Sequence, residues 1–87
     1  MTIKAIDRAT DEVRAERLRQ DARWGEHNLA PFEWLSVLGE EVGKACQAAN
    51  KAHWDGAPWA GYRAELVQVA AMAIAALACL DRHGGQP

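Results

Sequence analysis

Apolar residues recur along this chain at steps of three and four, and no stretch shows the two-residue alternation of a half-buried strand. The pattern predicts three helical segments separated by two punctuated loops. The first runs from about Asp7 or Thr10 to Arg23, with Thr10 placed to cap it ahead of Asp11 and Glu12, and with Gly25 and Asn28 as its stop. The spacing Asp11/Arg14 and Glu16/Arg19 supports a mostly solvated helix. The second segment begins at Pro31, a favoured first helical residue, and runs to about Lys51. Leu35, Leu38, Val42, Ala45 and Ala49 then form one inward stripe, and Gly39 and Gly43, a turn apart, permit close approach by another backbone or by a ligand. Between Ala52 and Gly61 the residues Gly56 and Pro58 mark a loop that carries Trp54 and Trp59. The third segment runs from about Pro58 or Tyr62 to Arg82 and ends at Gly84 and Gly85, with Arg82 and His83 suited to its C-terminal dipole.

Val69–Leu80 is apolar all the way round, and three helices of one short chain can hardly bury such a helix on every side. The fold expected is therefore all-α, a helical bundle of three main helices completed by oligomerisation. A chain of 87 residues fits a single domain, 1–87, and folding alone would hide only roughly 60% of its unfolded surface, which also favours a partner chain. The formal charge of -2 argues against nucleic acid as a partner, and the basic residues Arg8, Arg14, Arg17, Arg19 and Arg23 are interleaved with Asp7, Asp11, Glu12, Glu16 and Asp21. Met1–Val13 has no apolar core of a signal peptide, and the Val69–Leu80 run is shorter than the ~20 residues that span a bilayer. A cytoplasmic protein with no membrane partner is expected. Cys46 and Cys79 each lie among alanines at helical positions, which suits small buried hydrophobes better than metal or redox roles.

The candidate chemistry lies in two polar interruptions of these apolar helices. Glu40 and Glu41 are adjacent, and Glu65 and Gln68 open the third segment. Neighbouring carboxylates near an apolar face repel each other and resist burial, so a divalent cation between them is a natural stabiliser. Glu41 shares its row with Trp34, Val37 and Ala48, and so edges toward the buried side, while Lys44 lies within one turn of both glutamates. An antiparallel hairpin of the second and third segments would gather Glu40, Glu41, Lys44, Glu65 and Gln68, an oxygen-rich set suited to Mg²⁺ or Mn²⁺. Equally consistent with the spacing is an ordinary arrangement in which Lys44 neutralises Glu40 and Glu41 and Glu65 complements a helix dipole.

Three strings carry a resemblance: Glu16-Arg-Leu-Arg-Gln-Asp-Ala-Arg-Trp-Gly25, Trp34-Leu-x-x-Leu-x-Glu-Glu-Val-Gly43 and Tyr62-Arg-x-Glu-Leu-Val-Gln-Val-Ala-Ala71. In order and spacing the chain resembles the MazG-like all-α nucleoside triphosphate pyrophosphohydrolases from Glu16 to about Leu80. The resemblance implies a homodimer or homotetramer that holds Mg²⁺ on carboxylates and cleaves a nucleoside triphosphate, ribo or deoxyribo, to monophosphate and pyrophosphate. Glu40, Glu41 and Glu65 carry over as catalytic and metal-binding residues, with Gln68 as a neutral oxygen ligand. Metal ions that bridge phosphate oxygens neutralise developing charge and activate water.

Two positions depart from that family pattern. Lys44 stands where a third glutamate belongs, and Gln68 where many members have aspartate, so the pull on a doubly charged ion is weaker. Protonated Lys44 cannot bind metal, but it suits a phosphate. Trp54 and Trp59 flank the loop before Glu65 and are candidates for stacking on a base, although tryptophans in a small domain, Trp24 and Trp34 included, serve most simply as core anchors. His27, His53 and His83 have no partner at ligand spacing and receive no role. Besides the pyrophosphohydrolase, two readings remain open: a non-catalytic nucleotide-binding relative, and a purely structural helical oligomer.

Overall fold

A computed structural model describes residues 1–85 as three helices: α1 (Ile3–Trp24), α2 (Pro31–Asp55) and α3 (Trp59–Arg82). Among the described residues there is no strand, so the all-α expectation holds. Only Gly56–Pro58 separates α2 from α3, and so short a link forces an antiparallel hairpin. The third helix is the shared element. It packs against both α1 and α2, whereas α1 and α2 make no direct helix-to-helix contact.

The helices α1 and α2 run longer than their patterns predict because caps fall elsewhere, whereas α3 keeps its expected bounds. The Thr2 hydroxyl accepts from the Ala5 N–H at 3.1 Å and starts α1 there, while Thr10 lies inside the helix and donates to the Ile6 carbonyl at 2.7 Å. At the start of α2, Pro31 follows Ala30, whose N–H donates to the Glu33 carboxylate at 2.9 Å. The helix continues through His53 and Trp54 to Asp55, and Gly56 ends it in the left-handed conformation at φ 73°. Most of the loop expected between Ala52 and Gly61 is therefore helical. At the far end of α3, Arg82 turns away from its own terminus and donates to the Asn28 side-chain oxygen at 2.9 and 3.1 Å and to the His27 carbonyl at 2.9 Å. These bonds pin the α1–α2 linker, Gly25–Ala30, to the end of α3.

Small side chains make up most of the core. Trp34, Ala75 and Cys79 form one buried cluster with Leu29, Met72 and Ala76 against it, and Ala45, Ala52 and Ala71 are buried along the hairpin. Alanines on facing helices bring the backbones close, so little apolar area is enclosed. The buried row of α2 is Trp34, Ala45 and Ala52, flanked by half-buried Leu38, Glu41 and Ala49. Leu35 and Val42, placed inward by the sequence pattern, are 67% and 47% exposed. Leu38, Ala45 and Ala49 of the expected stripe do face inward, while Trp34 and Glu41 take the places expected for Leu35 and Val42. Among the described residues nothing lies within 4 Å of where a side chain at Gly39 or Gly43 would begin.

Further expectations are corrected in the same way. Trp24, Trp54 and Trp59 are exposed, and only Trp34 anchors the core, with its indole N–H buried and without an acceptor among the described residues. Cys79 is buried as expected, but Cys46 is exposed. On α3 the residues Leu66, Ile74 and Leu77 face outward, so the helix is buried along Ala71, Ala75 and Cys79 and open on its other side. By length and composition alone α3 is sufficient to cross a membrane, a property that core helices of soluble proteins share.

Candidate functional site

The sequence-predicted residues fall into two separate groups. On α2, Glu41 lies on the hairpin side with its side chain 15% exposed, and Lys44 Nζ stands 3.3 Å from Glu41 Oε1 with 58% of its own side chain in solvent. Glu40, one residue earlier, projects to solvent. Of the two helical pairings open to Lys44, the one with Glu41 forms. Glu65 is half-buried in the second turn of α3. Trp54 and Trp59 lie on the solvent side of the hairpin turn, where Trp54 meets the His53 ring edge-on at 4.4 Å and Trp59 meets Tyr62 edge-on at 5.7 Å.

Gln68 belongs to the second group, facing α1. Its Nε2 donates to Glu16 Oε2 at 2.7 Å, and its Oε1 accepts from Gln20 Nε2 at 2.8 Å. Gln20 is 1% exposed and is the buried polar residue of the fold; its own oxygen accepts from Arg17 at 2.8 Å, and its amide also reaches Glu16 at 3.3 Å. Arg19 closes the network with bonds of 2.6 and 2.9 Å to Glu16 Oε1. Burial alone would push the Glu16 carboxyl up, but the hydrogen bonds from Arg19 and Gln68, the charge of Arg19 and the bond from Gln20 together hold it below its ordinary 4.5. Glu16 is therefore ionised at neutral pH, a fixed negative charge between α1 and α3.

Beside this network lies an open groove of about 580 Å³, lined by Glu16, Arg19, Gln20, Arg23, Trp24 and Gln68. The Arg23 guanidinium sits 5.2 Å from the centre of the Trp24 ring. One amide, two arginines and an exposed aromatic ring of α1 thus line the groove beside Gln68. Glu16, Gln20 and Trp24 were missed as functional candidates from the sequence. The available signal was Gln20 at i,i+4 from Glu16 and in one row with Val13, an uncharged polar residue within a strongly charged helix.

Among the described residues, no group of three or more His, Cys, Asp or Glu side chains is gathered closely enough to hold a metal ion. The single chain thus does not bring Glu40, Glu41 and Glu65 together as a complete protein cage. Their carboxylate chemistry nevertheless suits a hard cation, and Mg²⁺ is ordinarily held by one or two carboxylates with water and substrate phosphates supplying the rest. Glu41 and Glu65 are each half-buried, on α2 and α3. Comparison with protein-family models, with curated proteins and with solved structures returns no match, so the residues and their geometry carry the functional reading on their own.

Proposed function

We propose that the chain is a MazG-like, Mg²⁺-dependent nucleoside triphosphate pyrophosphohydrolase that works as a homo-oligomer. The observation that carries this reading is that two separate groups of residues supply the two kinds of chemistry the reaction needs. Carboxylates from α2 and α3 (Glu40, Glu41 and Glu65) offer oxygen ligands, and the Gln68 groove adds Arg19, Arg23 and the Trp24 ring from α1. Arginines recognise phosphate oxygens bidentately, and an aromatic face stacks on any base. Mg²⁺, when bound, would neutralise charge on the phosphates and lower the pKa of a bound water. The chain's own part is to orient the triphosphate and to present a carboxylate toward the attacking water. Trp24 opens directly on the groove, whereas Trp54 and Trp59 face solvent at the hairpin turn. In one copy, Trp24 is therefore the better placed ring for a base.

Oligomerisation belongs to the same reading. The outward residues Phe32, Leu35 and Val42 on α2 and Ile74 and Leu77 on α3 leave an apolar surface that a second copy of the hairpin would cover.

The test is pyrophosphate release from a panel of ribo- and deoxyribonucleoside triphosphates with Mg²⁺ or Mn²⁺, repeated with chelator. Turnover that requires metal, and that is lost in Glu41→Ala and Glu65→Ala with helicity intact, supports the enzyme. Absence of turnover across the panel rejects it. A specific observation favours a second reading: Lys44 already neutralises Glu41, and Gln68 already bonds to Glu16 and Gln20. Under that reading the chain binds nucleotide without cleaving it, and calorimetric binding of a non-hydrolysable analogue without pyrophosphate release identifies it.

A further inference from the structure

The two interfaces of α3 differ in kind. Against α2 it packs the apolar cluster of Trp34, Ala75 and Cys79, with Leu29, Met72 and Ala76 around it. Against α1 the one buried residue is Gln20, and α1 contributes no buried apolar side chain. The α1 attachments are polar: Gln68 to Glu16 and Gln20, and Arg63 Nε to Glu12 at 2.9 and 3.2 Å. Polar contacts exchange protein partners for water at small net gain, whereas removal of apolar area from water is the larger and non-directional force. The α1 interface is thus the weak joint of the molecule. Its far end is secured, because Arg82 clamps His27 and Asn28 of the linker to α3. Between clamp and helix lies Gly25, at φ 74°, with open space around it.

From this asymmetry we infer that α1 is a strap that opens from the α2–α3 hairpin as a separate unit, hinged at Gly25 and latched by Glu16, Gln20 and Gln68. Opening leaves the clamped linker and the Trp34 core in place. It releases the Gln68 amide and dismantles the groove, since among the described residues Gln68 is the one groove residue that α1 does not carry. Segments that bury few apolar contacts open at lower free energy than the global transition, and a ligand that occupies such a groove holds the strap shut.

Native-state amide hydrogen exchange tests the inference without reference to any activity. In the unaltered protein, amides of residues 12–24 should exchange at least about tenfold faster than those of residues 71–79, although both lie inside long helices. Gln68→Leu should accelerate exchange in residues 12–24 by a further factor of about ten and leave residues 71–79 unchanged. The milder Glu12→Gln should act in the same direction on the same residues, and it decides the matter if Gln68→Leu does not fold. Exchange of residues 12–24 and 71–79 at one common rate, or equal acceleration of both by the variant, overturns the strap. Failure of nucleotide turnover would leave this exchange pattern untouched.

Discussion

Gln68 and Glu16 lie far apart in sequence and bond directly across the α1–α3 interface, Nε2 to Oε2 at 2.7 Å, with Gln20 bridging both. The carboxylate satisfies two amides and an arginine at once, so its loss leaves the amides of buried Gln20 and half-buried Gln68 without that acceptor, while exposed Arg19 turns to water. Glu16→Ala should weaken the docking of α1 by about 1–3 kcal/mol. By contrast, Asp11→Ala breaks an exposed pair with Arg14 and should cost less than about 1 kcal/mol. Urea titration followed by circular dichroism checks both, through a shift to lower denaturant of the transition that carries the α1 helical signal.

The same carboxylate gives α1 docking an acid limit. Its pKa in the folded protein lies below the ordinary 4.5, so the undocked or unfolded chain takes up the proton first as pH falls. The stabilisation is complete above about the ordinary value and drains away as pH drops through the lower folded one. Glu16→Gln removes this titration. Between about pH 6 and pH 3, the native protein should lose more docking free energy than Glu16→Gln does, and identical slopes in the two proteins would show that Glu16 does not couple to docking.

Sequence periodicity was enough to find three helices, since apolar spacing, Pro31, and the glycines at 25 and 56 are local signals. On the inward face of α2 it was right for Leu38, Ala45 and Ala49 and wrong for Leu35 and Val42. Leu35 and Trp34 are neighbours, and either phase satisfies a stripe with steps of three and four; the size of the indole, a packing matter, decides between them. It failed also on Gln68, whose spacing from Glu65 suggested a shared site with α2. Gln68 shares a row of α3 with Ala71 and Ala75, and at its end of that row the neighbour is α1, whose Glu16 and Gln20 take its amide; which helix covers that end is a tertiary matter that spacing does not reveal. The proximity of Lys44 to Glu41 was legible, because i,i+3 geometry on a helix needs no tertiary information.

Lys44 is the point at which the proposed metal chemistry is most sensitive. Its ammonium, mostly in solvent, neutralises a carboxylate that is mostly shielded. Lys44→Glu replaces that cation with an added ligand on the same turn and should tighten Mn²⁺ binding severalfold, measured by calorimetry. Lys44→Ala should lie between the two and change stability by less than about 1 kcal/mol, as for an exposed pair. If Lys44→Glu instead weakens nucleotide binding with Mn²⁺ affinity unchanged, the lysine serves a phosphate rather than restraining a metal.

Gly39 separates the behaviour of one copy from that of an assembly. Its backbone is helical, and among the described residues nothing stands near an added Cβ, so in an isolated copy Gly39→Ala should stabilise α2 by about 1 kcal/mol through helix propensity alone. Gly39 lies on the same outer side as Leu35 and Val42. If a second copy packs there closely enough to use the missing side chain, the same substitution weakens association while strengthening the helix. Sedimentation and thermal melting of Gly39→Ala, read together, therefore distinguish the cases: opposite changes in the two measurements locate the oligomer interface on this face of α2, whereas a more stable protein with unaltered association places it elsewhere. Leu77→Glu serves as the partner experiment on α3. Leu77 is 61% exposed in one copy, so the substitution should leave helicity intact, and it should shift the sedimentation coefficient toward the monomer only if that face is covered in the assembly.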